Sequence, residues 1–559
     1  MLLVKLKKPM KQSILFLASL IATLFIQSCK NTKAPQDVTQ NKPFVWENAH
    51  MYFLLTDRFN NGNTTNDINF NRTKETAVLR GFKGGDFEGI TQKINEGYFN
   101  DLGVNALWFS PVVEQIHGAT NEGTGNTYGF HGYWTKDWTA IEPNFGTEDA
   151  FKKLVETAHE NGIRIVMDVV LNHTGPVTEQ DPVWPADWVR TSPACTYDSY
   201  ENTTACTLVK NLPDILTESD KEVSLPHFLM EKWEKEGRLE EELASLEDYF
   251  SRTGYPKTPQ AYIVKWLTDY VKDYGIDGFR VDTVKHASES AWDMLYEEAS
   301  WSFNQWKTSH PEKTLDSNPF YMMGEVYNYG ISGGRNYDFG DQKVDYYSHG
   351  FHSLINFELK YDADRPYAEI FKKYDNLLQG PLKGKSVLNY LTSHDDGQPY
   401  DKLREKGYRA ANVLLLTPGG SQIYYGDETN RNLDIAGTEG DATLRSFMNW
   451  EDIPANEALL KHWQTLGKFK GNHIAVGAGN HQDITEFPYV FSRIYSQNNI
   501  TDQVVVGLDL AKGDKEISVG TVFKNGQTLK DAYSGVTVEV REGKVQLNSP
   551  HTMVLLEAL

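Results

Sequence analysis

Short apolar runs that end in polar residues alternate with amphipathic stretches along most of this chain, the rhythm of repeated βα units. The runs Met51–Leu55, Ala106–Phe109, Ile163–Met167, Gly278–Val281, Tyr321–Met323, Val387–Leu391 and Gln422–Tyr425 read as strands. Helices fit between them. Glu148–Asn161 places Phe151, Leu154, Val155 and Ala158 at helical spacing before Gly162 stops the run, and Pro259–Tyr274 does the same with Ile263, Trp266, Leu267 and Tyr270. This alternation predicts an α/β fold, a (β/α)8 barrel, in which chemistry sits on the loops after the strands.

The rhythm breaks twice. Between Leu171 and Tyr262 a Pro-, Ser- and Asp-rich stretch precedes a Glu-rich helical one, Glu231–Leu246, and an interruption this long after the third strand predicts an inserted subdomain. From about His473 the pattern becomes alternating strands, among them Gln503–Leu510, Val536–Val540 and Met553–Leu556, which predicts a C-terminal antiparallel β-sandwich. The expected organisation is a barrel over 46–170 and 263–472, an inserted domain over 171–262 and a β domain over 473–559.

At the N-terminus, Lys7, Lys8 and Lys11 precede an apolar run from Ile14 to Ile26, too short for a comfortable membrane span but right for a signal peptide over 1–28. The run ends Ile26-Gln27-Ser28-Cys29 and resembles a bacterial lipoprotein cleavage box, which implies a lipid on Cys29 and a membrane tether. A polar linker, 29–45, follows. An exported protein lipid-anchored to the envelope of a Gram-negative bacterium, at the outer membrane or the periplasmic face, is therefore expected, as a monomer. Cys195 and Cys206 are the two further cysteines; export permits a disulfide between them, and two buried thiols are the alternative. The net charge of −21 argues against nucleic acid as a partner, because phosphate binding needs a basic face. A neutral ligand is unaffected by that sign.

Four segments place carboxylates or imidazoles directly after apolar strands: Asp168-Val169-Val170-Leu171-Asn172-His173, Gly278-Phe279-Arg280-Val281-Asp282, Met323-Gly324-Glu325-Val326 and Thr392-Ser393-His394-Asp395-Asp396. Hydrolysis of an acetal needs one carboxylic acid to protonate the leaving oxygen and one carboxylate across the anomeric carbon. Asp282 and Glu325, on neighbouring strands, supply such a pair. Any one of these segments alone is no more than a turn or a helix cap. In this order, over about Met51–Trp450, they resemble the signature segments of glycoside hydrolase family 13, the alpha-amylase superfamily.

The resemblance implies roles. Asp282 is similar to the family's nucleophile, Glu325 to its general acid/base and Asp395 to the third carboxylate that holds sugar hydroxyls. Arg280, on the same side of the strand as Asp282, is expected to orient the nucleophile and keep it ionised. His173 and His394 resemble the histidines that bind the sugar left of the cut. In the segment Tyr128-Gly129-Phe130-His131-Gly132-Tyr133-Trp134, Tyr133 is the expected stacking platform and His131 a further hydroxyl contact. Lys285 and His286 resemble residues on the leaving-group side. The resemblance also implies calcium held by Asn172, Asp214 and the carbonyl of His286, between barrel and insertion. A second calcium loop, similar to one in cyclodextrin glycosyltransferases, would draw on Asn61, Asn63, Asn66, Asp67, Gly84 and Asp86, and a plain Asn/Gly turn is its alternative.

Ser393 departs from the Asn that many relatives carry there, while Glu114-Gln115-Ile116-His117-Gly118 resembles the periplasmic bacterial members. The activity implied is retaining, endo-acting cleavage of internal α-1,4 links in starch, glycogen or maltooligosaccharides. Two alternatives stand beside it: a cyclomaltodextrinase-, neopullulanase-like or transglycosylating enzyme using the same intermediate, and a glycan-binding lipoprotein whose barrel has lost catalysis. A missing carboxylate would mark the last, and all three are present.

Overall fold

The computed structural model describes residues 43–121 and 123–559. The signal segment, Cys29 and most of the linker lie outside them.

Eight parallel strands close into a barrel: β1 (His50–Leu54), β2 (Ala106–Phe109), β3 (Arg164–Val169), β4 (Gly278–Val281), β5 (Tyr321–Gly324), β6 (Ser353–Asn356), β7 (Ser386–Asn389) and β8 (Gly420–Tyr424). Each pairs with its neighbours in sequence order, and β8 closes on β1 with Met51 opposite Gln422. Every residue of these strands is buried, because the filled barrel covers one face and the helical ring the other. The helices begin and end where local chemistry dictates. Thr147 caps Glu148–Glu160 by accepting from the Ala150 N–H, and Thr258 caps Pro259–Tyr274 from Ala261 before Gly275, at φ 77°, ends that helix.

The expected fold class is the one observed, with two revisions of detail. The sixth strand escaped the apolar pattern because half of it is polar. Asn356 sits fully buried and spends its amide on Asn389 Oδ1 (2.8 Å) and on the Ile331 N–H (3.0 Å), so the barrel wall satisfies it from the next strand and from a loop. The single helix expected over Glu231–Leu246 is two, His227–Glu236 and Leu239–Thr253, separated where Gly237 takes a left-handed φ of 76°.

Between β3 and β4 the chain makes a small antiparallel pair, Val189–Arg190 with Asp214–Ile215, and a disulfide joins Cys195 to Cys206. Toward the C-terminus, six antiparallel strands run β9 (Asn480–Thr485), β10 (Tyr489–Gln497), β11 (Ile500–Leu508), β16 (Val554–Ala558), β13 (Thr528–Asp531) and β14 (Thr537–Glu539) across one sheet. A second pair, β12 (Gly513–Ser518) with β15 (Lys544–Ser549), faces it across Val505, Ile517, Val545, Leu547 and Val554. Alternating strands with one apolar face demand such a second layer.

Candidate active site

The polar ends of β3, β4, β5 and β7 converge at one mouth of the barrel. Register explains why. Arg280 lies opposite Asp168 on β3 and Met323 on β5, so Asp282 and Glu325 emerge side by side one step beyond the paired rungs. The ladder continues through them, with Asp282 N–H donating to Val169 O (3.0 Å) and Glu325 N–H to Val281 O (2.9 Å).

Arg280 is the hub. Its side chain is 1% exposed, and one amino nitrogen reaches Asp168 Oδ1 at 2.9 Å and Asp282 Oδ1 at 2.7 Å while the other lies 3.1 Å from Glu325 Oε2. A planar guanidinium can serve several carboxylates at once, which a lysine ammonium cannot do with the same geometry. Asp168 is itself held by Tyr133 Oη (2.7 Å) and Trp108 Nε1 (2.9 Å). Three buried carboxylates around one cation leave an excess of negative charge. Burial pushes Asp282 up to about 6 and Glu325 up to about 8, against the pull of Arg280 on both, and Asp282 adds to the rise at Glu325.

Asp395 is partly exposed, and the Ser393 hydroxyl donates to its Oδ1 at 3.0 Å. The His394 ring stacks on Tyr133 with centroids 5.1 Å apart, so these two residues meet each other in one wall of the mouth. His173 Nε2 lies 3.1 Å from the Tyr133 carbonyl oxygen, and His131 Nδ1 accepts from the Tyr133 N–H at 3.1 Å. Burial drives His173 down to about 4 and holds His131 and His394 well below the usual imidazole range. All three are therefore neutral at pH 7, suited to hydroxyl groups rather than anions. On the opposite side, Lys285 Nζ donates to Tyr327 O (3.2 Å) and Tyr337 Oη (3.1 Å), and His286 Nδ1 faces Thr203 O (2.9 Å) of the inserted segment.

Asn172, Asp214 and His286 come together behind this wall. The terminal amide of Asn172 sits 3.2 Å from Asp214 Oδ1 and 2.9 Å from the His286 carbonyl oxygen. Arg190 Nε lies 2.7 Å from Asp214 Oδ2, and burial raises Asp214 to about 8 in spite of it. In the second proposed loop the residues divide. Asp86 caps the helix Phe87–Asn95 and accepts from the N–H groups of Gly89 (2.6 Å), Gly62 (3.0 Å) and Asn63 (2.7 Å). Asn63 Oδ1 is spent on Thr65. Asn61 donates to Asp67 Oδ1 at 2.9 Å, and Gly84 packs so closely on this pair that a Cβ there would meet Asn61 at 2.4 Å. Both amide atoms of Asn66 are buried without a hydrogen bond among the described residues.

Sequence reasoning passed over several residues of the mouth. Asp168 begins a signature segment, yet its part as second anchor of Arg280 depends on cross-strand register. Thr283, whose N–H donates to Glu325 Oε2 at 3.0 Å, is a backbone contact with no side-chain signal. Arg445 Nε holds the His394 carbonyl at 2.9 Å from the end of a 3-10 helix 51 positions away, and only the fold brings it there.

Residues 53–468 match the family model described as the alpha amylase catalytic domain. The chain is 36% identical over 499 residues to a periplasmic alpha-amylase of Escherichia coli, covering 78% of this chain and 69% of that protein. The chain belongs to the alpha-amylase family. It is a glycoside hydrolase of that family, with the barrel and C-terminal sheet described above. A cyclomaltodextrin glucanotransferase of Paenibacillus macerans is 24% identical, covering 83% of this chain and 60% of that protein, so the chain spans under two thirds of that relative. Among solved structures, an alpha-amylase of Anoxybacillus superposes with a TM-score of 0.62 at 21% identity over 92% of this chain and 99% of that one, a likeness of fold.

Proposed function

We propose that this family member is a retaining, endo-acting alpha-amylase that cleaves internal α-1,4 links of starch, glycogen or maltooligosaccharides through a glucosyl ester on Asp282. The observation that carries this reading is the single buried guanidinium touching both Asp282 and Glu325. Retaining glycosidases need their two carboxyl groups about 5–5.5 Å apart, whereas inverting ones need about 6.5–9.5 Å to admit a water. Two groups that emerge side by side from adjacent strands and both reach Arg280 favour the close arrangement.

The electrostatics support the division of roles. Glu325, with the higher pKa, keeps a proton at neutral pH and gives it to the glycosidic oxygen, while Asp282, with the lower, is ionised and attacks the anomeric carbon. Glu325 then removes a proton from the water that hydrolyses the ester. Asp395 grips the hydroxyls of the reacting sugar. The Tyr133, His394, His173 and His131 wall receives the sugar left of the cut, and Lys285 and His286 border the leaving group.

A second reading, transfer to a sugar hydroxyl, is favoured by Tyr197 and Tyr327, 49% and 41% exposed, whose ring centroids lie 5.9 and 5.6 Å from Lys285 Nζ. Aromatic faces there would hold an acceptor sugar. One experiment separates the two. NMR of freshly cleaved maltoheptaose should show the α-anomer first, and chromatography of amylose digests should show mixed short oligosaccharides early. A β-anomer would sink the retaining mechanism; cyclic or lengthened products would move the assignment to transglycosylation.

We further infer that Asn172, Asp214 and the His286 carbonyl hold a calcium ion. An amide, a buried carboxylate and a carbonyl are the oxygen donors a hard cation takes, and the raised pKa of Asp214 reports a carboxylate in need of more positive charge than Arg190 supplies. The ion would tie the inserted segment to β3 and β4, and no chemical step passes through it. Chelation should lower the melting temperature by several degrees, and Asp214→Asn should abolish the response. A melting curve blind to chelator would remove this site. With Asp86 and Asn63 engaged in capping and turn formation, the unbonded Asn61 Oδ1 and Asn66 amide beside Asp67 are the donors that remain for a second ion. The apolar run before Cys29 supports export with a lipid anchor.

A further inference from the structure

Thr283 is a β-branched residue with φ 49° and ψ 39°, a left-handed conformation that such side chains avoid. It stands directly after Asp282. Strain of this kind persists only where the surroundings overdetermine it, and here they do. Asp282 N–H is fixed on Val169 O (3.0 Å), Val284 N–H on Glu325 O (3.0 Å) and His286 N–H on Thr283 O (2.9 Å), while Trp292 Nε1 holds Val284 O at 3.1 Å. The left-handed turn swings one N–H out of the strand ladder and aims it at Glu325 Oε2, 3.0 Å away. Two consecutive amides thus clasp Glu325, one at its side chain and one at its main chain.

We propose that the main-chain N–H of Thr283 is a positioning group that, together with Arg280, reserves Glu325 Oε2 as an acceptor and so places the transferable proton on Oε1. The inference rests on the assignment of Glu325 as the acid/base. Oε2 accepts a hydrogen bond from the Thr283 amide at 3.0 Å and faces an amino nitrogen of the Arg280 guanidinium in an ion pair at 3.1 Å. A proton placed on Oε2 would compete with the amide already bonded there and stand against the guanidinium charge, so Oε2 is the poorer seat for it. Oε1 makes no hydrogen bond among the described residues, so it is the oxygen that can both carry the proton and meet the glycosidic oxygen. A carboxylic acid with equivalent oxygens would hold its proton on the wrong one part of the time. The same donor also stabilises the ionised form, which counters burial and the charges that face Glu325: Asp282 of the neighbouring strand, Asp395 beyond β7, and Tyr327 and Tyr390, with Arg280 as the opposing cation.

The test replaces threonine 283 by its α-hydroxy acid in the full-length enzyme, which turns the N–H into an ester oxygen and keeps the side chain. The expected result is a loss of about tenfold or more in kcat on maltoheptaose, the worth of a hydrogen bond to a charged group. In kcat/KM, which reports only the step up to the glucosyl ester, an aryl maltoside with a leaving group that needs no proton should lose less than about twofold, since acid assistance is the part of that step that is impaired. The alkaline limb of kcat/KM against pH should move up by about one unit, because the carboxylate has lost a donor. Thr283→Gly, which keeps the N–H and relieves the strain, should leave that limb in place. Equal losses on both substrates, or an unmoved limb, would overturn the proposal. Neutron diffraction of the unaltered enzyme near pH 6 locates the proton without any variant: deuterium on Oε1 supports the proposal, and deuterium on Oε2 refutes it. Glu325→Gln separates the two levels. If that variant is inactive while the ester enzyme behaves as wild type, the positioning role alone fails; if Glu325→Gln still cleaves maltoheptaose, the acid/base assignment fails with it.

Discussion

Replacing Asp282 by Asn is expected to cut kcat on starch by on the order of 10⁴-fold or more while the melting temperature at pH 7 rises. The loss follows from chemistry: an amide cannot form the glucosyl ester, and removing a covalent nucleophile eliminates the path rather than weakening it. The gain follows from the cost of the site. Burial raises Asp282 from 3.8 to about 6, a shift that Arg280 only partly offsets. The folded protein therefore holds this proton more tightly than the unfolded chain does. Stability is lost as pH climbs from about 4 through 6, and at pH 7 the cost is present in full. Asn carries no charge to desolvate and keeps an oxygen for Arg280, whose guanidinium retains Asp168 and Glu325. The gain should fade toward pH 4, where wild-type Asp282 is protonated. Thermal melts at pH 4 and 7 beside a reducing-sugar assay check both halves; activity in a preparation free of wild-type enzyme, or a lower melting temperature at pH 7, contradicts the assignment.

Much of this architecture is legible in the sequence because barrel strands are buried on two faces and so stand out as apolar runs. Where polar residues occupy the wall, as at Ser353 and Asn356, the signal vanishes, since their partners come from a neighbouring strand and a loop that no local pattern reveals. The site shows the same division. Asp282, Glu325 and Asp395 are legible as acidic residues after apolar strands, and it is their order along the chain, not any one position, that sets them apart from turn or cap residues. Asp168 and Arg280 are visible as residues, but their pairing is set by the register of β3 against β4, which the fold alone fixes. Thr283 is opaque in a further way: it acts through a main-chain N–H in a strained turn, and an amide carries no sequence signature. Arg190 beside Asp214 is likewise a product of the small sheet in the insertion.

Arg280→Met is expected to be the most damaging single change in the mouth for stability, and to cost turnover as well. The substitution keeps a long apolar stem against the Trp108 and Tyr133 rings, whose centroids lie 5.2 and 5.7 Å from the guanidinium carbon, and removes only the charge and its donors. Asp168, Asp282 and Glu325 are then three buried carboxylates with no shared cation, and breaking such a cluster from one side costs about 3–5 kcal/mol. The dependence on pH identifies the cause. All three groups already have raised pKa values, led by burial and held down by Arg280. Without Arg280 their folded-state values rise further, so stability is lost as pH increases through them, and the gap to wild type should widen between pH 5 and pH 8. Arg280→Lys should recover part of the stability at pH 8 and little of the turnover, because an ammonium supplies charge without the planar fork that spans Asp282 and Glu325. Calorimetric melts of both variants at the two pH values decide the matter. If Arg280→Met melts with wild type at pH 8, or its deficit is no smaller at pH 5, the guanidinium is not what permits three carboxylates to share this barrel mouth.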